Sequence, residues 1–140
     1  MTVATVLLQA ALWIWFLGCT FTYRFAKILL VEGMGFKSIE FAMLCIYTAG
    51  VAAFHFLHPA GRWILLAVLC VWLLSQFRWH WYYTLFGASE QKLKGYNNCF
   101  RGTVRIFPEN ETRLVPDLYH ILLHLLIFLN IILCICGSWS

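Results

Sequence analysis

The sequence predicts an all-α integral membrane protein, a four-helix bundle of four transmembrane helices with a structured cytoplasmic loop between the third and fourth. Three observations carry that expectation. Hydrophobic residues make up 62% of the chain and charged residues only 11%, against about 25% charged in an ordinary soluble domain. The apolar residues are gathered into four long runs, too many for a soluble fold of 140 residues to hide. The charges collect in two of the intervening segments. Together with a mean hydropathy of +0.77, this excludes a disordered chain, a collagen-like chain and an average cytosolic domain.

A helix needs about 20 apolar residues to cross about 30 Å of hydrocarbon. The first predicted span covers residues 3–23, with Gln9 its only strongly polar member. It reads as a retained span, having no basic segment before it and no small-residue cleavage site after it. Arg24, Phe25, Lys27, Ile28 and Leu29 suggest that its helix continues past the bilayer surface until Gly33 and Gly35 break it. Residues 39–57 form the second span, capped by Ser38 and with Glu40 in its first turn. His58-Pro59-Ala60-Gly61 is a stop and a tight reversal. The third span covers 63–79, lengthened by an interfacial belt of Trp79, Trp81, Tyr82 and Tyr83. The fourth covers 118–137, opened by Pro116 and Asp117.

Four spans place the loops on alternating sides. Arg24, Lys27, Lys37, Arg78, Lys92, Lys94, Arg101, Arg105 and Arg113 share one side, and only Arg62 lies on the other. By the positive-inside rule both termini are outside and both long loops are cytoplasmic. All six carboxylates fall on that same side. The Asn110-Glu111-Thr112 glycosylation pattern is discounted for this reason. The net charge of +4 is explained by orientation, and no nucleic-acid-binding signature accompanies it.

Residues 80–117 are long for a connection and should carry structure. A short helix is expected over 88–94, stopped by Gly95. Strands over 103–107 and 112–115 would flank a turn at 108–111. An isolated hairpin is marginal in water, so the loop should rest on the membrane face through its aromatics. Cys19, Cys45 and Cys70 read as small packing residues within spans. Cys99 is the one loop thiol, and its expected reading is inert.

The chemistry-bearing residues converge on the cytoplasmic interface. Asp117, His120 and His124 are spaced i, i+3, i+7, on one face of a helix. His80 ends the third span on the same side. His80, His120 and Asp117 are the candidate catalytic acid–base set. His80, His120 and His124 are the alternative reading, as ligands of a divalent metal, since histidines one turn apart have ligand spacing. Glu109 and Glu111 are near enough in sequence to fold over the site. Arg101, Arg105, Arg113 and Tyr96 are the candidate substrate contacts, guanidinium groups being suited to lipid phosphate. The bland reading beside these is dipole compensation by Asp117, interfacial hydrogen bonding by the histidines, and attraction of the basic loop to anionic lipids. His55 and His58 lie at the opposite end of the second span, at a different depth from His124, which argues against heme.

Two functions follow as expectations. One is a small membrane enzyme, or catalytic subunit, acting on a lipid or lipid-linked phosphate at the cytoplasmic interface. The other is a non-enzymatic channel or transporter protomer or an assembly subunit. Membrane lipids are partners under either, and a homo-oligomer or a partner membrane protein is expected because one small bundle buries little apolar surface.

Overall fold

A computed structural model describes residues 3–136. The element order is α1 (Val3–Leu17), β1 (Tyr23–Phe25), β2 (Ile28–Val31), α2 (Ile39–Phe56), α3 (Ala60–Gln76), a π-helical turn (Phe77–Trp81), α4 (Tyr82–Phe86), α5 (Glu90–Cys99) and α6 (Leu118–Cys136). The chain is mostly helical. Three continuous helical stretches are long and apolar enough to cross a membrane: Ile39–Phe56, Ala60–Phe86 and Leu118–Cys136. They mark the chain as a membrane protein. Their outward faces agree, since Ile46, Val71, Leu74, Leu125, Phe128 and Ile135 are all exposed where a soluble bundle would carry polar groups. Gly137, the end of the fourth predicted span, lies outside the described residues.

The first span differs from its expected length. α1 has 15 residues, about 22 Å at 1.5 Å per residue, and ends at Leu17. The residues expected to prolong it form an antiparallel hairpin instead, pairing Tyr23 with Val31, Arg24 with Leu29 and Phe25 with Ile28. The reversal is made by Ala26 at φ 53°. A plugging contact explains the preference for strand. Val31 is buried in the core, and the Tyr23 hydroxyl donates to the Ile14 carbonyl at 2.6 Å.

α1 packs on α6 and α2, α2 on α3, and α3 on α6. The centre is aromatic. Phe16 and Tyr47 each meet Trp72, with ring centroids at 4.4 and 5.5 Å. Several polar groups inside the bundle are bonded. The Tyr47 hydroxyl donates to the Gln9 carbonyl, Gln9 Oε1 meets His55 Nε2 at 2.9 Å, and Asn130 Nδ2 donates to the Leu126 carbonyl at 2.9 Å. His55 is thereby a bundle contact. Trp15 and Tyr119 clamp α1 to α6 reciprocally. Indole Nε1 donates to the Tyr119 carbonyl at 3.1 Å, and the phenol donates to the Trp15 carbonyl at 2.6 Å. α2 and α3 touch at Gly61, where a Cβ would lie 1.9 Å from the Ala53 carbonyl oxygen.

Ser38 caps α2 as expected, its hydroxyl oxygen accepting from Phe41 N at 3.1 Å. The loop before α6 departs from the expected hairpin. No strand pairing forms within 103–115. That segment is pinned one bond at a time to other elements: Thr103 bridges Leu29, Ala88 N donates to the Thr112 carbonyl, and Leu118 N donates to the Val104 carbonyl. Asn110 holds the intervening turn, its Oδ1 accepting from Thr112 N, Thr112 Oγ1 and Arg113 N. The short helix also runs longer than expected. α5 passes through Gly95 and ends at Cys99. Burying Leu93 and most of Tyr96 outweighs a glycine penalty of about 1 kcal/mol.

Candidate functional site

The π turn positions the site. Trp72, Gln76 and His80 stand at i, i+4 and i+8, and in a regular helix His80 would drift about 80° from Trp72. A π turn places one extra residue in the turn. Tyr82 N therefore bonds back to the Phe77 carbonyl, and His80 returns to the face of Trp72 and Gln76. The carbonyl of His80 accepts from the Thr84 hydroxyl at 2.8 Å, so the widened turn leaves that oxygen partnered.

On α6, Asp117 is fully buried just before the first helical residue. Its Oδ1 accepts two bonds, from His120 N at 3.0 Å and from His120 Nδ1 at 2.6 Å. The carboxylate is therefore a helix cap and an imidazole orienter at once. Nδ1 donates, which leaves His120 Nε2 as the acceptor nitrogen; the tautomer is assigned from this bonding. The His120 ring lies face to face with His80, with centroids 4.0 Å apart and planes 24° apart. His80 Nδ1 in turn meets the Tyr96 hydroxyl at 2.8 Å. Burial, reinforced by the Asp117 charge, pushes the Tyr96 phenol up from its ordinary value. It stays neutral and shares this bond with His80 Nδ1, as donor or acceptor according to the imidazole tautomer. Phe100 closes the other side of the pair, 5.0 Å from the His120 ring and 5.8 Å from His80. The result is a buried series of Asp117, His120, His80 and Tyr96 drawn from α6, the π turn and α5.

The series ends at a cavity of about 890 Å³, within the ~300–1,000 Å³ range of small-molecule sites. Its floor is apolar, made by Phe16, Met43 and Trp72, while His80, Tyr96 and Lys92 line its polar part. Lys92 is fixed by aromatic rings, its Nζ 3.9 Å from the Tyr83 centroid and 5.3 Å from that of Trp79.

The structure thus brings His80, His120 and Asp117 together, with Tyr96 added. His124 stands apart from the series. Its ring is edge-on to His80 at 6.0 Å, its Nδ1 bonds the His120 carbonyl, and its buried Nε2 has no hydrogen-bond partner. Among the described residues, no group of three His, Cys, Asp or Glu side chains is placed to hold a metal ion. His80 and His120 present parallel faces, and all three Nδ1 atoms are bonded to protein. Of the arginines, Arg105 pairs with Glu109 at 2.9 Å and acts on the Tyr96 hydroxyl through its charge. Arg101 and Arg113 are exposed, and none of the three lines the cavity. Glu111 is also exposed. Cys99 lines the cavity mouth. Partial burial and the nearby carboxylates Glu32, Glu40 and Asp117 push its thiol up, the opposite of an activated nucleophile.

Sequence reasoning grouped Lys92 with the other loop cations and missed Trp72 and Gln76. The i, i+4, i+8 stripe was the available signal, but it is legible only if the π turn is known. No family model matches the sequence, and neither the curated proteins nor the solved structures compared with it give a match.

Proposed function

We propose that this chain is a small multi-pass membrane enzyme that carries out acid–base chemistry on a lipid or lipid-linked phosphate at the membrane interface. The observation that carries the reading is the Asp117–His120–His80–Tyr96 series ending in the wall of a cavity with an apolar floor and a polar part that holds Lys92 and Glu40. In this reading His80 exchanges a proton with substrate through Nε2, and Tyr96 holds its ring in place through Nδ1. His120, kept in orientation by Asp117, stabilises the ring stacked on it. Lys92 takes the phosphate nearest the cavity, and Arg101, Arg105 and Arg113 draw anionic headgroups to the surface. The parallel stacking of the His80 and His120 rings, which keeps their nitrogens from converging, favours this acid–base form over metal ligation by His80, His120 and His124.

The topology belongs to the same proposal. α1 is read as the fourth helix of the bundle, since its contacts run from Asn130 near one end of α6 (Nδ2 to the Leu8 carbonyl, 3.3 Å) to Tyr119 at the other. The termini are outside and the α5 side is cytoplasmic, on the charge bias.

The test is lipid turnover. Purified protein in nanodiscs is incubated with a total membrane lipid extract, and lipid species are followed by mass spectrometry. The expected result is a species consumed by the wild type and spared by His80→Ala and His120→Ala. Consumption unchanged in both variants sinks the assignment. No consumption by the wild type favours the non-enzymatic subunit instead.

A further inference from the structure

Two of the helices that wall the cavity carry a full charge on the face they turn to it. On α5 the lining residues Lys92, Tyr96 and Cys99 are spaced i, i+4, i+7, and on α2 Glu40 and Met43 are spaced i, i+3, in each case one helix face. The Lys92 ammonium is held at the rim, since its Nζ lies over the indole of Trp79, itself a lining residue, 5.3 Å from the centroid. Glu40 is half-buried. Its charge reaches the Cys99 thiol on α5 and is one of the causes that push that thiol up. Among the described residues, neither Glu40 nor Lys92 enters an ion pair, with the other or with a third group. The cavity thus presents two opposite charges that do not neutralise each other, beside one apolar floor.

Only a ligand carrying both signs answers them together. A lone anion at Lys92 meets the like charge of Glu40, and a lone cation at Glu40 meets that of Lys92. Either repulsion grows as the ligand displaces water from the cavity and the local dielectric falls. A neutral ligand would strip water from both charges and pair neither. From this we infer that the cavity takes a zwitterionic amphiphile, an alkyl or acyl chain joined to a head that carries both a phosphate and an alkylammonium. The chain lies on Phe16 and Met43. The phosphate pairs with Lys92, one helical turn from Tyr96, and the ammonium pairs with the Glu40 carboxylate. The inference names the substrate class of the site proposed above and rests on that reading for its catalytic meaning, though binding itself does not require turnover.

The experiment is ligand protection of Cys99 in the whole protein, held in neutral maltoside micelles so that no charged lipid competes. The probes are octyl aminoethyl phosphate and octyl propyl phosphate, which match in chain and phosphate and differ only in an ammonium for a terminal methyl. Free probe is measured by equilibrium dialysis, so partition into micelles cancels. A water-soluble maleimide is added, and modification of the Cys99 peptide is read by mass spectrometry. The zwitterion is expected to give half-protection at a concentration roughly tenfold lower, the fold-change for one charge-assisted hydrogen bond gained. Glu40→Gln should abolish that preference, and Lys92→Gln should weaken both probes and keep their ratio. If either variant fails to fold, the comparison of the two probes on wild type still decides. Equal half-protection on wild type, a preference that survives Glu40→Gln, or protection by neither probe overturns the inference. Aminoethyl phosphate, the head without a chain, should give no protection over the same range; equal protection by it overturns the amphiphile. A protein that discriminates the probes but turns over no lipid refutes the catalytic reading alone, and turnover without discrimination refutes the zwitterionic head alone.

Discussion

Replacing Asp117 by Ala removes one side chain that makes two different bonds. The first is a helix cap, the Oδ1 bond from His120 N at 3.0 Å, worth about 0.5–2 kcal/mol. The second is the 2.6 Å bond from His120 Nδ1, worth about 1.5–3 kcal/mol for a charged acceptor. Both end on the same oxygen, so they do not simply add. Because the carboxylate is fully buried, water cannot replace it without opening the loop end of α6, and a loss of about 2–4 kcal/mol is expected. Asp117→Asn keeps an oxygen for both bonds but turns the unpartnered Oδ2 into an amide that needs acceptors. Its cost should be about 1–2 kcal/mol. Unfolding in mixed micelles with rising dodecyl sulfate measures both. Imidazole nitrogen chemical shifts report the tautomer, with protonated Nδ1 expected in wild type and a mixture in the alanine variant. An alanine variant within about 0.5 kcal/mol of wild type, with the His120 tautomer unchanged, would show that the carboxylate neither caps nor orients.

Gly61→Ala puts a methyl 1.9 Å from the Ala53 carbonyl oxygen, so α2 and α3 must separate, at a cost of about 1–3 kcal/mol; an unshifted thermal midpoint in detergent would contradict the close approach. Tyr119→Phe deletes the bond to the Trp15 carbonyl, worth about 1 kcal/mol, and should speed amide exchange in α1 while leaving α2 as it was. The raised Cys99 thiol is protonated at neutral pH, so its alkylation rate should climb with pH to a midpoint above that of free cysteine; a midpoint below it would disprove the electrostatic account. In intact cells a membrane-impermeant thiol reagent should miss Cys99, and labelling there would reverse the proposed orientation.

Much of the fold was readable because hydropathy and length suffice for residues 39–57 and 118–137, and because Ser38 and Asp117 stand where caps belong. The contact of Asp117 with His120 was readable from i, i+3 spacing alone. The hairpin was not. Tyr23–Phe25 and Ile28–Val31 are short apolar runs that fit helix or strand equally, and their turn falls on Ala26 and Lys27, with no glycine or asparagine to announce it. Gly95 misled in the opposite sense, since packing of its neighbours carried α5 past it. The hairpin expected over 103–115 failed because each backbone group there found a partner on a different element. The cavity could not be foreseen, as α1, α2, α3, the π turn and α5 all contribute to it, and a π turn leaves no composition signature.

The clamp between Trp15 and Tyr119 joins residues 104 positions apart. At about 5–20 residues per second, Tyr119 is made roughly 5–20 s after Trp15. During that interval the first helix has none of its α6 contacts, and its indole and the carbonyl of Trp15 lack their final partners. The chain therefore cannot complete its bundle in the order it is synthesised: α1 can meet α2 early, but its clamp to α6 closes only once the last helix is made. A premature stop between α5 and α6 would leave two of the three long spans in place and α1 without its α6 clamp.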